Sequence, residues 1–240
     1  MTIEEKSSRS RPAALQQPLC RSGWNRFFLA YSNTVIQTSW RGGALPGTAM
    51  LKMNLWDAKW DLDEAQCPCD VHFNHWIDAN KIAGKTIYHF GTGTHHIVGL
   101  TQAANGSDNV VFGITASIVE YEAFIKLANE RPQLMKSYLA YFGDIYLTNA
   151  RLIPTLDIAT MFHAGEYIGA NTTSPEYGGV DDLGVARILH GRMRPGGHFL
   201  FYTGSFAFDK AEAIVETLGR EGKLERVGTF KSLLVCRKTS

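Results

Sequence analysis

Three stretches of the 240-residue sequence concentrate side chains able to do chemistry. In KTIYHFGTGTHHIVGL, residues 85–100, a β-rich run breaks at Gly91 and Gly93 and resumes as a helical pattern, with His89, His95 and His96 around the break. Glycines at such a turn let backbone approach a ligand closely, and the helix that follows opens with free N–H groups. In FHAGEY, residues 162–167, His163, Glu166 and Tyr167 stand just past an apolar run, where an imidazole or carboxylate can position an acceptor or move a proton near neutral pH. In CPCDVHFNH, residues 67–75, Cys67, Cys69, His72 and His75 are zinc-binding types, but their compressed spacing lacks the distant second pair of a structural zinc site. The expectation there is a local loop with reduced cysteines and exposed histidines, and no metal. His95 and His96 are adjacent, so on a helix they point about 100° apart and do not share an ion. One is expected to face the ligand and the other the solvent.

These side chains have to be positioned by an alternation of strands and helices that begins near residue 85. KTIYHF, NVVFGI, SYLAYFGDIY, TLDIATMFHAGEY and HFLFYTG contain the strand patterns, and LERVGTF and SLLVCRK form a terminal hairpin. NVVFGI is apolar throughout, as a strand buried on both faces should be. Helices are expected over HHIVGLTQAA, over the run after Ser117, over DDLGVARILHGRM, and in a further capped helix opened by Asp209 and Glu212, with Ala211, Ile214, Val215 and Leu218 as its buried stripe. Ser117 and Glu120 form an S-x-x-E capping box, which assigns the Glu120 carboxylate to a helix cap. RPGG, residues 194–197, reads as the turn before the fifth strand. Such an alternation predicts an α/β fold: a doubly wound, mostly parallel seven-stranded sheet with an antiparallel C-terminal strand and helices on both faces.

Residues 21–84 differ in kind. They hold Trp24, Trp40, Trp56, Trp60 and Trp76 without a sustained period, and are expected either to cap the mouth of the sheet or to pack onto its core. Residues 1–20 are polar with charges of both signs and read as a mobile tail, leaving 85–240 as the ligand-binding domain. Lys and Arg number 24 against 23 Asp and Glu, with no basic run, which disfavours a nucleic-acid partner. No apolar run approaches the roughly 20 residues of a membrane span. The four cysteines have no framework spacing, so a cytoplasmic, reducing setting is expected.

IYHFGTGTHH, YFGDIY and MRPGGHFLFYTG, in that order and followed by a helix and a hairpin, resemble the class I S-adenosylmethionine-dependent methyltransferases over about residues 80–238. The resemblance implies that S-adenosylmethionine is the cofactor and that a methyl group passes to a small-molecule acceptor. It places His89, Gly91, Thr92, Gly93 and His95 around the methionine part, Thr115 and Ala116 at the ribose, and Gly143, Asp144 and Ile145 at the adenine. His163 would border both cofactor and acceptor, with Glu166 and Tyr167 as further catalytic candidates and Tyr202, Thr203 and Ser205 near the same pocket. Thr115 stands where the family has a ribose-binding acid and can make only a single hydroxyl contact. Two other readings stay open on that fold: transfer of an aminopropyl or aminocarboxypropyl group, or ligand binding without catalysis. A dinucleotide oxidoreductase is disfavoured because its third glycine would fall at His96, and YTGSFA supplies no G-x-S-x-G nucleophile elbow.

Overall fold

Short apolar runs separated by amphipathic segments produce a single sheet of seven strands, β1 (Thr86–Phe90), β2 (Val110–Thr115), β3 (Tyr138–Phe142), β4 (Leu156–Thr160), β5 (Met193–Tyr202), β6 (Leu224–Phe230) and β7 (Leu233–Lys238). Five helices accompany them among the described residues: α1 (Cys69–Ala79), α2 (Ile97–Ala104), α3 (Ile118–Glu130), α4 (Asp182–Arg192) and α5 (Phe208–Arg220). The computed structural model describes residues 53, 55, 59–167 and 175–239. The expected tail, Trp24, Trp40, Trp56 and most of the expected cap lie outside the described residues. Among the described residues no helix is long and apolar enough to cross a membrane.

The strand order is β3-β2-β1-β4-β5-β7-β6, parallel from β3 through β5, with β7 antiparallel to both β5 and β6. Chain order reverses between β1 and β4, where His89 pairs with Gly113 on one side and Thr160 on the other. That reversal is a switch point, the place where open α/β sheets leave a crevice beyond the carboxyl ends of their strands.

Strand alternation divides the core into two layers. On one face Ile87, Val111 and Ile158 pack with Phe73 and Trp76 of α1, Val98 of α2 and Phe124 of α3. On the other, Tyr88, Ala159, Phe199 and Phe201 pack with Val185 and Leu189 of α4 and Ile214 and Leu218 of α5. Trp76 is thus a core residue.

The structure departs from three sequence expectations. In β2 only Val111, Gly113 and Thr115 are fully buried, while Val110, Phe112 and Ile114 are half-buried, so one face is only partly covered. β5 already begins at Met193, and RPGG is a bulge within it: the register moves from Leu156 opposite Met193 to Ile158 opposite His198, with Gly196 at φ +77°. α5 starts after Ala207 without a side-chain cap; Ser205 Oγ instead accepts the Ala207 N–H at 3.1 Å.

Candidate functional site

The carboxyl ends of β1, β2, β3 and β4 surround one pocket, closed on its outer side by the segment around Trp60 and Cys67. Its floor is the glycine loop. Gly91 and Gly93 sit at φ +80° and +57°, backbone that L side chains rarely adopt. A Cβ at Gly91 would meet His163 Cδ2 at 3.7 Å, and one at Gly93 would collide with the imidazole of His95. His95 folds back over the loop. Its Nδ1 accepts the Ile97 N–H at 3.2 Å, and its Nε2 lies 3.7 Å from Asp70 Oδ2 at the pocket wall.

His96 is not solvated, contrary to the sequence expectation for one of the two neighbouring histidines. It is buried at φ +47°; the Glu120 carbonyl takes its Nε2–H at 2.9 Å, so Nδ1 accepts from the Tyr138 hydroxyl at 2.7 Å. Burial pushes its pKa down to about 4, against the opposing pull of the Glu120 carbonyl.

Over the end of β2 the capping-box expectation is half met. Ser117 Oγ does accept the Glu120 N–H at 3.4 Å, but the Glu120 side chain does not return to Ser117, whose N–H goes to Thr115 Oγ1 at 3.0 Å. The carboxylate turns into the pocket, accepting the Thr115 hydroxyl at 2.6 Å and the Trp60 N–H at 3.3 Å. Thr115 therefore delivers an acid to the strand end where it lacks one itself. Burial holds the Glu120 carboxyl above the usual range, with the two donors opposing. Asp144, on the loop after β3, also lines the pocket and already accepts the Tyr146 N–H at 2.9 Å and the Tyr177 hydroxyl.

The opposite end of the pocket is built from sulfur and imidazole. Cys67 and Cys69 precede and open α1, and His163 follows β4; their Sγ and Nε2 atoms lie 3.6 Å apart for the two sulfurs and 3.9 Å for each sulfur–nitrogen pair. His163 Nδ1 meets Glu166 Oε2 at 3.1 Å, and Ser205 hydrogen-bonds the other Glu166 oxygen. Trp60 stacks on the His163 ring at 6.3 Å with planes 8° apart. Hydrogen bonding from Cys69, and then His163, pulls the Cys67 thiol down to about 5 in spite of burial. Burial disfavours charge on His163, yet Cys67 and Glu166 hold its pKa up at about 10. Burial pushes the Tyr167 phenol upward, so it stays protonated.

Buried links fix the loops that carry these groups. Asp182 at the start of α4 accepts the Tyr146 hydroxyl and the Gly165 N–H, each at 2.9 Å, tying the loop after β3 to the loop after β4. Asp70, one residue past Cys69, lies 3.4 Å from His89 Nε2, while His89 Nδ1 meets Thr160 Oγ1 at 2.9 Å. Burial alone would raise the Asp70 carboxyl, but His89, His95 and His163 hold it below the usual range.

Of the residues singled out in the sequence, Gly91, Gly93 and His95 line the pocket floor, Thr115, Ala116, Asp144 and Ile145 one wall, and His163 and Tyr167 the other. His89, Thr92, Gly143 and Glu166 do not line it: His89 and Thr92 are buried beneath the loop, and Glu166 stands behind His163. Tyr202 donates to the Gln66 carbonyl at 3.3 Å and Thr203 to the Ser232 carbonyl at 3.1 Å, outside the pocket. CPCDVHFNH, expected as a local loop with exposed histidines and reduced cysteines, is helical from Cys69 onward; both cysteines are free and His75 is exposed, but His72 is half-buried. His72 pairs with Ser232 Oγ at 2.7 Å and His75 with Lys231 Nζ at 2.6 Å, while both cysteines turn to His163. Cys67, Cys69 and Glu120 are thus pocket residues that the sequence did not reveal, while Trp60 takes the wall position that the cap reading offered it. The one signal for Glu120 was its position five residues beyond Thr115.

No family model matches the sequence, and no curated protein is significantly similar to it. Solved structures do match. The methyltransferase domain of bacterial CtHen1-C aligns over 74% of this chain and 100% of its own, at 13% identity and a TM-score of 0.50. A protein provisionally assigned as a caffeoyl-CoA O-methyltransferase from Staphylococcus aureus aligns over 90% of this chain and 91% of its own, at 10% identity and a TM-score of 0.50. At such identities the likeness is one of fold, and the chain has the class I methyltransferase fold.

Proposed function

We propose that this chain binds S-adenosylmethionine and transfers its methyl group to a small-molecule acceptor. The observation that carries the reading is the Glu120 carboxylate, turned into the switch-point pocket at the end of β2 by Thr115 and the Trp60 N–H. Each carboxylate oxygen has more than one acceptor direction, so Glu120 can hold those two donors and still take the vicinal hydroxyls of a ribose. Asp144 has spare acceptor directions for an exocyclic amine beside Tyr146 and Tyr177. Gly91 leaves the loop open to a close approach, its nearest would-be contact being His163 at 3.7 Å. These acceptors fit an adenosine-containing cofactor.

Bound there, S-adenosylmethionine supplies an electrophilic methyl on a sulfonium, so the protein's task is to orient the acceptor and exclude water. Trp60 and Tyr167 form apolar walls for that purpose. His163, held through Nδ1 by Glu166, lines the same wall and fixes that side of the acceptor space. A small acceptor is supported by the formal net charge of +1, which offers little to a phosphate backbone. Glu120 also weighs against a non-catalytic binding protein, whose main support was the absent acid at Thr115.

Calorimetry with S-adenosylmethionine and S-adenosylhomocysteine tests the reading. Micromolar binding of both is expected, weakened by Asp144→Ala, and so is a methylated product from a panel of small acceptors. No heat at millimolar ligand would overturn the cofactor assignment. Binding followed by transfer of an aminopropyl or aminocarboxypropyl group would overturn the reaction assigned here.

A further inference from the structure

We propose that Cys67 Sγ, Cys69 Sγ and His163 Nε2 form a three-ligand site for a zinc-class divalent ion, with the fourth coordination position open to the pocket. Tetrahedral zinc with bonds of about 2.3 Å to sulfur and 2.0–2.1 Å to nitrogen has ligand atoms roughly 3.8 Å apart for a sulfur pair and roughly 3.6 Å apart for sulfur and nitrogen. The three edges here measure 3.6, 3.9 and 3.9 Å. One face of a coordination tetrahedron is therefore already assembled to within a few tenths of an ångström.

The surroundings agree with ligation. A zinc-bound histidine ordinarily gives its other ring N–H to a carboxylate, which fixes the tautomer and aims the free nitrogen at the ion. Glu166 holds His163 Nδ1 at 3.1 Å and is itself held by Ser205, so Nε2 is the nitrogen presented to the sulfurs. Two thiolates and an imidazole are the donor set that favours zinc over magnesium or calcium. Three protein ligands and a vacancy are the pattern of a reactive rather than a purely structural zinc. All three residues line the pocket, so the vacancy faces the space where the acceptor is proposed to lie. A water, or a thiol or hydroxyl of a bound molecule, completes the tetrahedron there. The site does not depend on the methyl-transfer reading.

The test uses the full chain, stripped with a chelator in reducing buffer and titrated with zinc chloride alone. One zinc per chain is expected, and cobalt should give intense tetrahedral d–d bands with a thiolate charge-transfer band. Cys67→Ser, Cys69→Ser and His163→Ala should each weaken zinc binding by about a hundredfold or more, and Glu166→Gln by about ten- to hundredfold. His72→Ala and His75→Ala should leave it unchanged, and circular dichroism of each stripped variant separates lost binding from lost folding. No stoichiometric binding at micromolar zinc, a cobalt spectrum without the thiolate band, or binding that depends on His72 or His75 but survives His163→Ala would overturn the proposal.

Discussion

The two ends of the pocket are made in opposite ways. At the acid end, Thr115, Ser117 and Glu120 lie within six residues of one another, and His96 fastens that turn to Tyr138 of β3. At the sulfur end, Cys67 and Cys69 meet His163 across 96 and 94 residues, brought together because β1 lies beside β4 and α1 covers that part of the sheet. The acid end is an extension of the hydrophobic core. The sulfur end is an assembly of loop residues held by polar links. The difference predicts that changes to the packed supports of the first, such as His96 and Gly99, disturb folding, while changes to the ligating side chains of the second disturb chemistry and leave folding nearly intact.

The largest expected effect comes from pH at the acid end. His96 is neutral in the fold with a pKa of about 4 against an unfolded value of 6.5, so its stabilising contribution is complete above pH 6.5 and is lost as pH falls toward 4. That difference corresponds to about 3 kcal/mol. Asn tolerates the left-handed backbone at this position, so His96→Asn is the comparison to make. Urea unfolding between pH 7 and 4 should show the stability gap between wild type and variant shrinking by about that amount; parallel curves would mean that His96 does not titrate with folding. Next in size is Gly99→Ala in α2. A Cβ there would collide with the buried Tyr138 ring, which His96 holds in place. A net loss of about 2 kcal/mol is expected, since overpacking outweighs the better helix propensity of alanine. An unchanged melting temperature would show that Tyr138 can move and that the acid end is less rigid than its burial implies.

Glu120→Gln separates the two roles at that end. The amide keeps the shape but loses the charge-assisted contacts, so S-adenosylmethionine affinity should fall about tenfold, roughly 1.4 kcal/mol. The fold should tolerate the change, because the carboxylate is buried and gives up an unfavourable charge. Equal affinity by calorimetry would remove Glu120 from the ribose site. This residue also marks where sequence reasoning stops. Strand and helix order, the glycine loop and the loop after β4 are all encoded by neighbouring residues and were legible. S-x-x-E reads the same whether the glutamate returns to Ser117 or turns onto Thr115, and only the packed structure decides between them. The meeting of Cys67, Cys69 and His163 was illegible for a stronger reason: it depends on strand order, which local periodicity does not carry. His72 and His75, nearer in sequence, were the wrong partners because α1 points them toward Ser232 and Lys231 on the β6–β7 turn.

Cys67→Ser carries the smallest expected change in stability and is the sharpest test of the contrast. Cys67 is half-buried ahead of α1, and its backbone N–H bonds the Asp63 carbonyl whatever its side chain. His163 keeps Glu166, and the core residues Phe73 and Trp76 of α1 are untouched. The loss in zinc-free, reducing buffer should stay below about 1 kcal/mol, as for a substitution that opens no core cavity. Added zinc should then raise the melting temperature of wild type and not of the variant, because an ion that binds only the folded state stabilises it by an amount that grows with the logarithm of its concentration over its dissociation constant. A loss above about 2 kcal/mol without metal would place Cys67 among the supports of the fold, and the two ends of the pocket would no longer differ in kind.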